Sequence, residues 1–111
     1  MPLLERVRVE VYIPDVPSSG YQNLLDSLQK EFTYAFGGSS VVRGLQGCYL
    51  SRAGDRILDR VNLIYSDAPL ALSTNFAAVA AYMRELKQAA TEALSEEVVL
   101  VSAEQVYHAV S

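Results

Sequence analysis

The chain has 111 residues, half of them hydrophobic and a fifth charged, with a net charge of −4 and one cysteine. That length predicts a single domain, residues 1–111, with a core that needs no metal or disulfide to hold it. The acidic balance argues against a nucleic-acid partner, and lone Cys48 excludes an internal disulfide and fits a reducing compartment. Arg6, Arg8, Arg43, Arg52, Arg56 and Arg60 crowd the first half, but Glu5, Glu10, Asp55 and Asp59 interleave with them, so no uncompensated basic stripe forms. Residues 1–5 carry no signal-peptide pattern, and the weakly polar stretch 68–83 is too short and too polar to span a bilayer. The expectation is a cytoplasmic protein with no membrane partner.

Val7, Val9, Val11 and Ile13 alternate with Arg6, Arg8, Glu10 and Tyr12, which predicts a half-buried strand over residues 6–13. Pro14 and Pro17 stop it. Ser19 and Gln22 have the spacing of a capping box, and Leu24, Leu25, Leu28, Phe32 and Phe36 then share one helical face. Gly37 stands where a left-handed C-cap is wanted.

Residues 41–51 and 57–66 read as two strands joined by a turn at Ala53-Gly54-Asp55-Arg56. Gly44 and Gly47 mark the first of these as the edge strand and suggest a bulge or a close backbone approach. After Asp67-Ala68-Pro69, a second helix is expected from Ser73 or Thr74 to about Leu94. Phe76, Val79, Met83, Leu86, Ala90 and Leu94 form its core stripe. Its alanine-rich first half allows close packing on its own sheet or against another helix. A last strand should open at Val98, with Val99, Leu100 and Val101 buried on both faces. Its extended pattern continues to Val110, longer than usual, so it either bends or pairs outside its own sheet.

The order strand, helix, strand, strand, helix, strand predicts an α+β sandwich of the ferredoxin-like (βαββαβ) kind. Its four-stranded antiparallel sheet has the spatial order 4-1-3-2, with both helices on one face. That architecture is reused too widely to predict a chemistry.

Most chemical candidates have simpler readings. Gly37-Gly38-Ser39-Ser40 precedes a strand, whereas an anion loop must lead into a helix. Ser73-Thr74-Asn75 is placed to bind an anion, yet these are also ordinary capping residues. His108 has no cluster of metal-ligating partners, which leaves exposure on a terminal strand or a role as general base or axial haem ligand. Cys48 reads as a small buried hydrophobe. Adjacent Glu96 and Glu97 point to opposite faces of an extended segment and form a turn, not an acid–base pair. No metal or cofactor is implied.

The seven tyrosines suggest more. With the valines of the first strand facing the helices, Arg8, Glu10 and Tyr12 face the open side of the sheet. Either Asn62 and Ile64 or Leu63 and Tyr65 join them, depending on register. A face of this mixed character is wetted and ion-paired, covered by a second subunit, or the lining of a small-molecule site. Arg8, Glu10, Tyr12 and Tyr65 are the candidate ligand-binding residues. Arg8 would act as charge partner and Tyr12 as stacking surface for a small anionic or aromatic metabolite.

Residues 8–13, Phe36-Gly37-Gly38, Gly47-Cys48-Tyr49 and residues 61–66 resemble small bacterial ferredoxin-like families of unknown function. The broader group holds PII-type regulators, amino-acid-sensing domains and dimeric αβ-barrel monooxygenases. The resemblance implies an oligomer with a ligand near the sheet face, and it carries over no catalytic or binding motif. The leading functional expectation is a small homo-oligomeric ligand-binding or regulatory module, a homodimer or larger. A cofactor-independent αβ-barrel monooxygenase or isomerase using Tyr12, Tyr65 or His108 is the enzyme alternative. A structural interaction protein is the third.

Overall fold

The structure is a computed structural model describing residues 2–95 and 99–110. The alternation of the first strand extends beyond the predicted segment at both ends, forming β1 (Leu3–Pro14). It is followed by α1 (Ser19–Phe36), β2 (Ser40–Leu50), β3 (Arg56–Ala68), α2 (Leu72–Leu94) and β4 (Leu100–Ala109). The four strands form one sheet in the order β2-β3-β1-β4 with every pairing antiparallel, which is the predicted ferredoxin-like arrangement. The readings of Glu96, Glu97 and Val98 lie outside the described residues.

Period-2 alternation places Val7, Val9, Val11 and Ile13 on the helix side of β1, all buried. Leu24, Leu25, Leu28 and Phe32 of α1 close over them, with Val79, Leu86 and Ala90 of α2 alongside. Phe32 is fully buried, and its ring lies 6.1 Å from that of Phe36, which meets Tyr82 edge-on at 5.6 Å. Asn62, Ile64 and Ser66 of β3 are also buried, which settles the register: Leu63 and Tyr65, not Asn62 and Ile64, share the open face with Tyr12 and Glu10.

Three core assignments need correction. Phe76 is 68 % exposed, and Asn75 beside it leaves helical geometry, so the helical spacing that would put Phe76 in phase with Val79 is broken there. Leu100 is 60 % exposed, since β4 is an edge strand and only Val99 beside it is buried. Cys48 is exposed on β2 rather than buried. The long extended tail neither bends nor leaves its sheet. β1 starts earlier than expected and pairs with β4 from Leu3↔Ala109 to Tyr12↔Leu100.

The caps divide in the same way. Helix α1 starts after Ser18, which makes no side-chain cap; the Gln22 amide donates instead to the Val16 carbonyl at 3.1 Å, so the capping box does not form. Gly37 does close the helix in the left-handed region at φ 90°, its N–H donating to the Thr33 carbonyl at 2.9 Å. The space around it is open, so Gly37→Ala is expected to cost about 1–2 kcal/mol from backbone strain alone. Chemical denaturation checks this.

Strands β2 and β3 run on beyond β1 as a two-stranded ribbon, because β1 stops at the Pro14↔Val61 pair. The ribbon closes at Ser51, whose carbonyl accepts from Gly54 while its own N–H donates to the Asp55 carbonyl. It draws the molecule out to 47 × 28 × 26 Å with a radius of gyration of 15.3 Å, against about 13 Å for a compact domain of this length. A bulge between Val42 and Leu45 marks its root. Gly44 occupies the left-handed region there, and buried Asn62 pins it, accepting from the Gly44 N–H at 3.0 Å and donating to Asp15 at 3.2 Å.

Candidate functional site

The even-numbered side chains of β1 and β4 and the odd-numbered ones of β3 emerge on the sheet face away from the helices. Pairing sets Arg8 opposite Asp67, Glu10 opposite Tyr65 and Tyr12 opposite Leu63 on one side of β1. On its other side, Arg8 faces Glu104 and Leu4 faces His108. All four predicted residues, Arg8, Glu10, Tyr12 and Tyr65, therefore share one half-buried patch.

The patch is wired together. The Arg8 guanidinium grips Asp67 with two bonds, Nε–Oδ1 at 2.7 Å and Nη2–Oδ2 at 3.0 Å. Its charged centre lies 4.6 Å above the Tyr65 ring, a cation–π contact. His108 Nε2 is 2.7 Å from Asp67 Oδ2, and the Tyr12 hydroxyl donates to Glu10 at 2.9 Å.

Electrostatics follow from this wiring. Bonding to Arg8, helped by His108, holds the Asp67 carboxyl below the ordinary aspartate value despite its burial. The same ion pair raises Arg8. Glu10 is pushed up, first by burial and then by hydrogen bonding with Glu104, although its bond from Tyr12 opposes the shift. Tyr12 is raised because its hydroxyl already serves Glu10. The patch thus has a neutralised half, Arg8 and Asp67, and a half richer in carboxylates, Glu10 and Glu104.

Asp67, Glu104 and His108 belong to the patch although the residue patterns alone did not bring them together. Asp67 reads as a strand terminator, and His108 as an isolated residue near the chain end. The missing signal was register: once Tyr65 is on the open face, Asp67 follows two residues later, and the β1–β4 pairing delivers Glu104 and His108. Chemically, an imidazole hydrogen-bonded to a carboxylate and two tyrosine rings can orient, stack against and exchange protons with a small molecule. No group of three or more potential metal ligands converges among the described residues. None of the described helices is long and apolar enough to cross a membrane.

No protein-family model and no curated protein sequence matches the chain. Its likeness to solved structures is one of fold. The divalent cation tolerance protein CutA1 of Thermus thermophilus superposes with a TM-score of 0.55 at 18 % identity, covering 91 % of this chain and 82 % of that one. CPII, a nitrogen regulatory PII-like protein of Thiomonas intermedia bound to ADP, AMP and bicarbonate, gives 0.51 at 12 %, covering 98 % and 100 %. A phage SAM lyase in complex with S-methyl-5'-thioadenosine gives 0.54 at 15 %, covering 95 % and 90 %.

Proposed function

We propose that this protein is a cytoplasmic, homo-oligomeric ligand-binding or regulatory module whose open sheet face holds a small anionic or aromatic metabolite. The observation that carries this reading is the Arg8 guanidinium lying over Tyr65 while Asp67 anchors it. With its charge already met, Arg8 offers a planar stacking partner more than a free cation, which favours an aromatic ligand. Tyr12 and Glu10 supply a ring and an acceptor beside it. All but one of the ligands named for the PII-like protein and the SAM lyase contain adenosine, so adenine nucleosides and nucleotides are the first compounds to test. Exposed Leu4 and Leu100 share this face, which supports its cover by another subunit. A homodimer burying more than about 1,200 Å² in total is the smallest assembly that provides it.

Thermal-shift screening of adenine compounds and aromatic carboxylates, followed by calorimetric titration, tests the site. Wild type should be stabilised by at least one compound, and Arg8→Ala should lose that stabilisation. Arg8→Lys, which keeps the charge without the planar face, should lose most of it if stacking is the mode of recognition. Equal stabilisation of wild type and both variants would sink the site.

The 2.7 Å contact between His108 and Asp67 supports a second reading, an enzyme in which an oriented imidazole acts as acid or base. His108→Ala would then abolish turnover of a bound compound while leaving its binding intact.

A further inference from the structure

We propose that a groove between α2 and β4 is a second binding site, one that takes a small amphiphilic monoanion, a medium-length acyl carboxylate. The groove lies on the helix side of the sheet, so it is separate from the open-face patch and is tested independently of it.

The groove follows from how α2 and β4 are tied. At one end the Leu72 N–H donates to the Gln105 side chain at 2.8 Å, and at the other the Lys87 ammonium donates to the Val99 carbonyl. Between the ties lies an open groove of about 900 Å³, a size within the range of small-molecule sites. Its floor is apolar. Val79 is buried at the base, half-buried Met83 lies beside it, and Val101 and Ala103 line it from the helix side of β4. Phe76 lines the same groove with 68 % of its surface exposed, apolar area that a ligand would cover.

Polar groups gather toward the other end. Arg84, Lys87, Gln88 and Thr91 fall three and four residues apart on α2, so they sit side by side on one helix surface. Arg84 forms no hydrogen bond or ion pair among the described residues. Lys87 has N–H donors beyond the one it gives to Val99. Glu92 is the only acidic residue lining the groove among the described residues, and the Gln88 amide already donates to it at 3.1 Å. Two cations against one carboxylate leave a local surplus of one positive charge in a chain of net charge −4.

That combination selects the ligand. The floor suits a hydrocarbon body, and the uncommitted Arg84 guanidinium can fork onto a carboxylate. A surplus of one charge matches a carboxylate better than a phosphate monoester, which carries nearly two. Leu72 to Met83 spans about 16 Å along the helix, room for a medium acyl chain ending at Arg84. A wholly apolar occupant would cover Arg84 and Lys87 without supplying a counter-charge.

Calorimetric titration of the whole chain with decanoate, decanol and decylammonium tests the site. Wild type should bind decanoate saturably at one site per chain, octanoate several-fold more weakly, and decanol and decylammonium more weakly still. Arg84→Gln, at an exposed position, should weaken decanoate by about tenfold and leave decanol unchanged. Ala80→Trp, which fills the groove, should abolish both, while Arg8→Ala on the open face should change neither. Circular dichroism checks folding, and if Ala80→Trp fails to fold, Phe76→Asp at its exposed position replaces it. Decylammonium binding as tightly as decanoate, an unaffected Arg84→Gln, or unsaturable uptake each overturns the proposal. Binding lost in Arg8→Ala but kept in Ala80→Trp overturns it too, moving the ligand to the open face. So does a wild type that binds no decanoate; if Ala80→Trp then lowers the mass by light scattering, the occupant is a second copy.

Discussion

Phe32→Ala should lower the unfolding free energy by about 3–5 kcal/mol, the range for emptying a buried aromatic site. The ring is fully enclosed by residues from α1, α2 and β1, and it packs into the Phe36–Tyr82 pair. Truncation therefore leaves a void bounded by both helices and the sheet, with little freedom to collapse. In a domain of this size the melting temperature should fall by more than about 10 °C. A negligible shift would show that α1 does not bury this face.

The second large effect concerns Asp67. Asp67→Asn removes a carboxylate that accepts two bonds from Arg8 and meets His108, and should cost about 1.5–3 kcal/mol near neutral pH. The sign of its pH dependence is fixed by the lowered native pKa. Its contribution is fully present above the ordinary aspartate value of 3.8 and is lost as pH falls through the depressed native value. Glu10 acts oppositely. Its native pKa is raised, so its contribution is greatest below the ordinary value and is lost as pH rises through the raised one. Denaturation from acid to neutral pH should therefore show a rise in stability below the ordinary aspartate value that flattens in Asp67→Asn, and above the ordinary glutamate value of 4.5 an opposing loss that disappears in Glu10→Gln. Parallel profiles for the two variants would contradict these assignments.

The fold was legible because its signals are local. Alternating valines, a helical face of Leu28 and Phe32, and Gly37 at a helix end each depend on residues a few positions apart. Strand order also emerged, since the βαββαβ sequence of elements leaves few topologies open. The errors arose where a distant contact overrode a local pattern. Phe76 has the spacing of a core residue, but Asn75 breaks the helix beside it. Leu100 sits in an apolar run that looks doubly buried, yet its strand lies at the sheet edge. The open-face patch was half legible. Arg8, Glu10 and Tyr12 lie on one strand and declare a common face, whereas Asp67, Glu104 and His108 reach it through pairings that no short window contains.

The bulge at the root of the ribbon has the effect of a parity switch. Before it, Val42 shares the open face with Leu63; after it, Leu45 shares that face with Val61, so one residue has been absorbed without turning β3 over. Everything downstream on β2 has its side assigned at that point. Were Gly44 kept but the bulge lost, Arg43 would pair with Asn62 and Gly44 with Val61, and Cys48 and Leu50 would move to the opposite surface from Leu58; deleting Gly44 would instead let the ladder run straight and leave them where they are. Asn62, buried beneath the bulge and bonded to its backbone, is then the residue that keeps the count. A chain that straightened here without losing a residue would keep its sheet and its core while presenting a different ribbon to the outside.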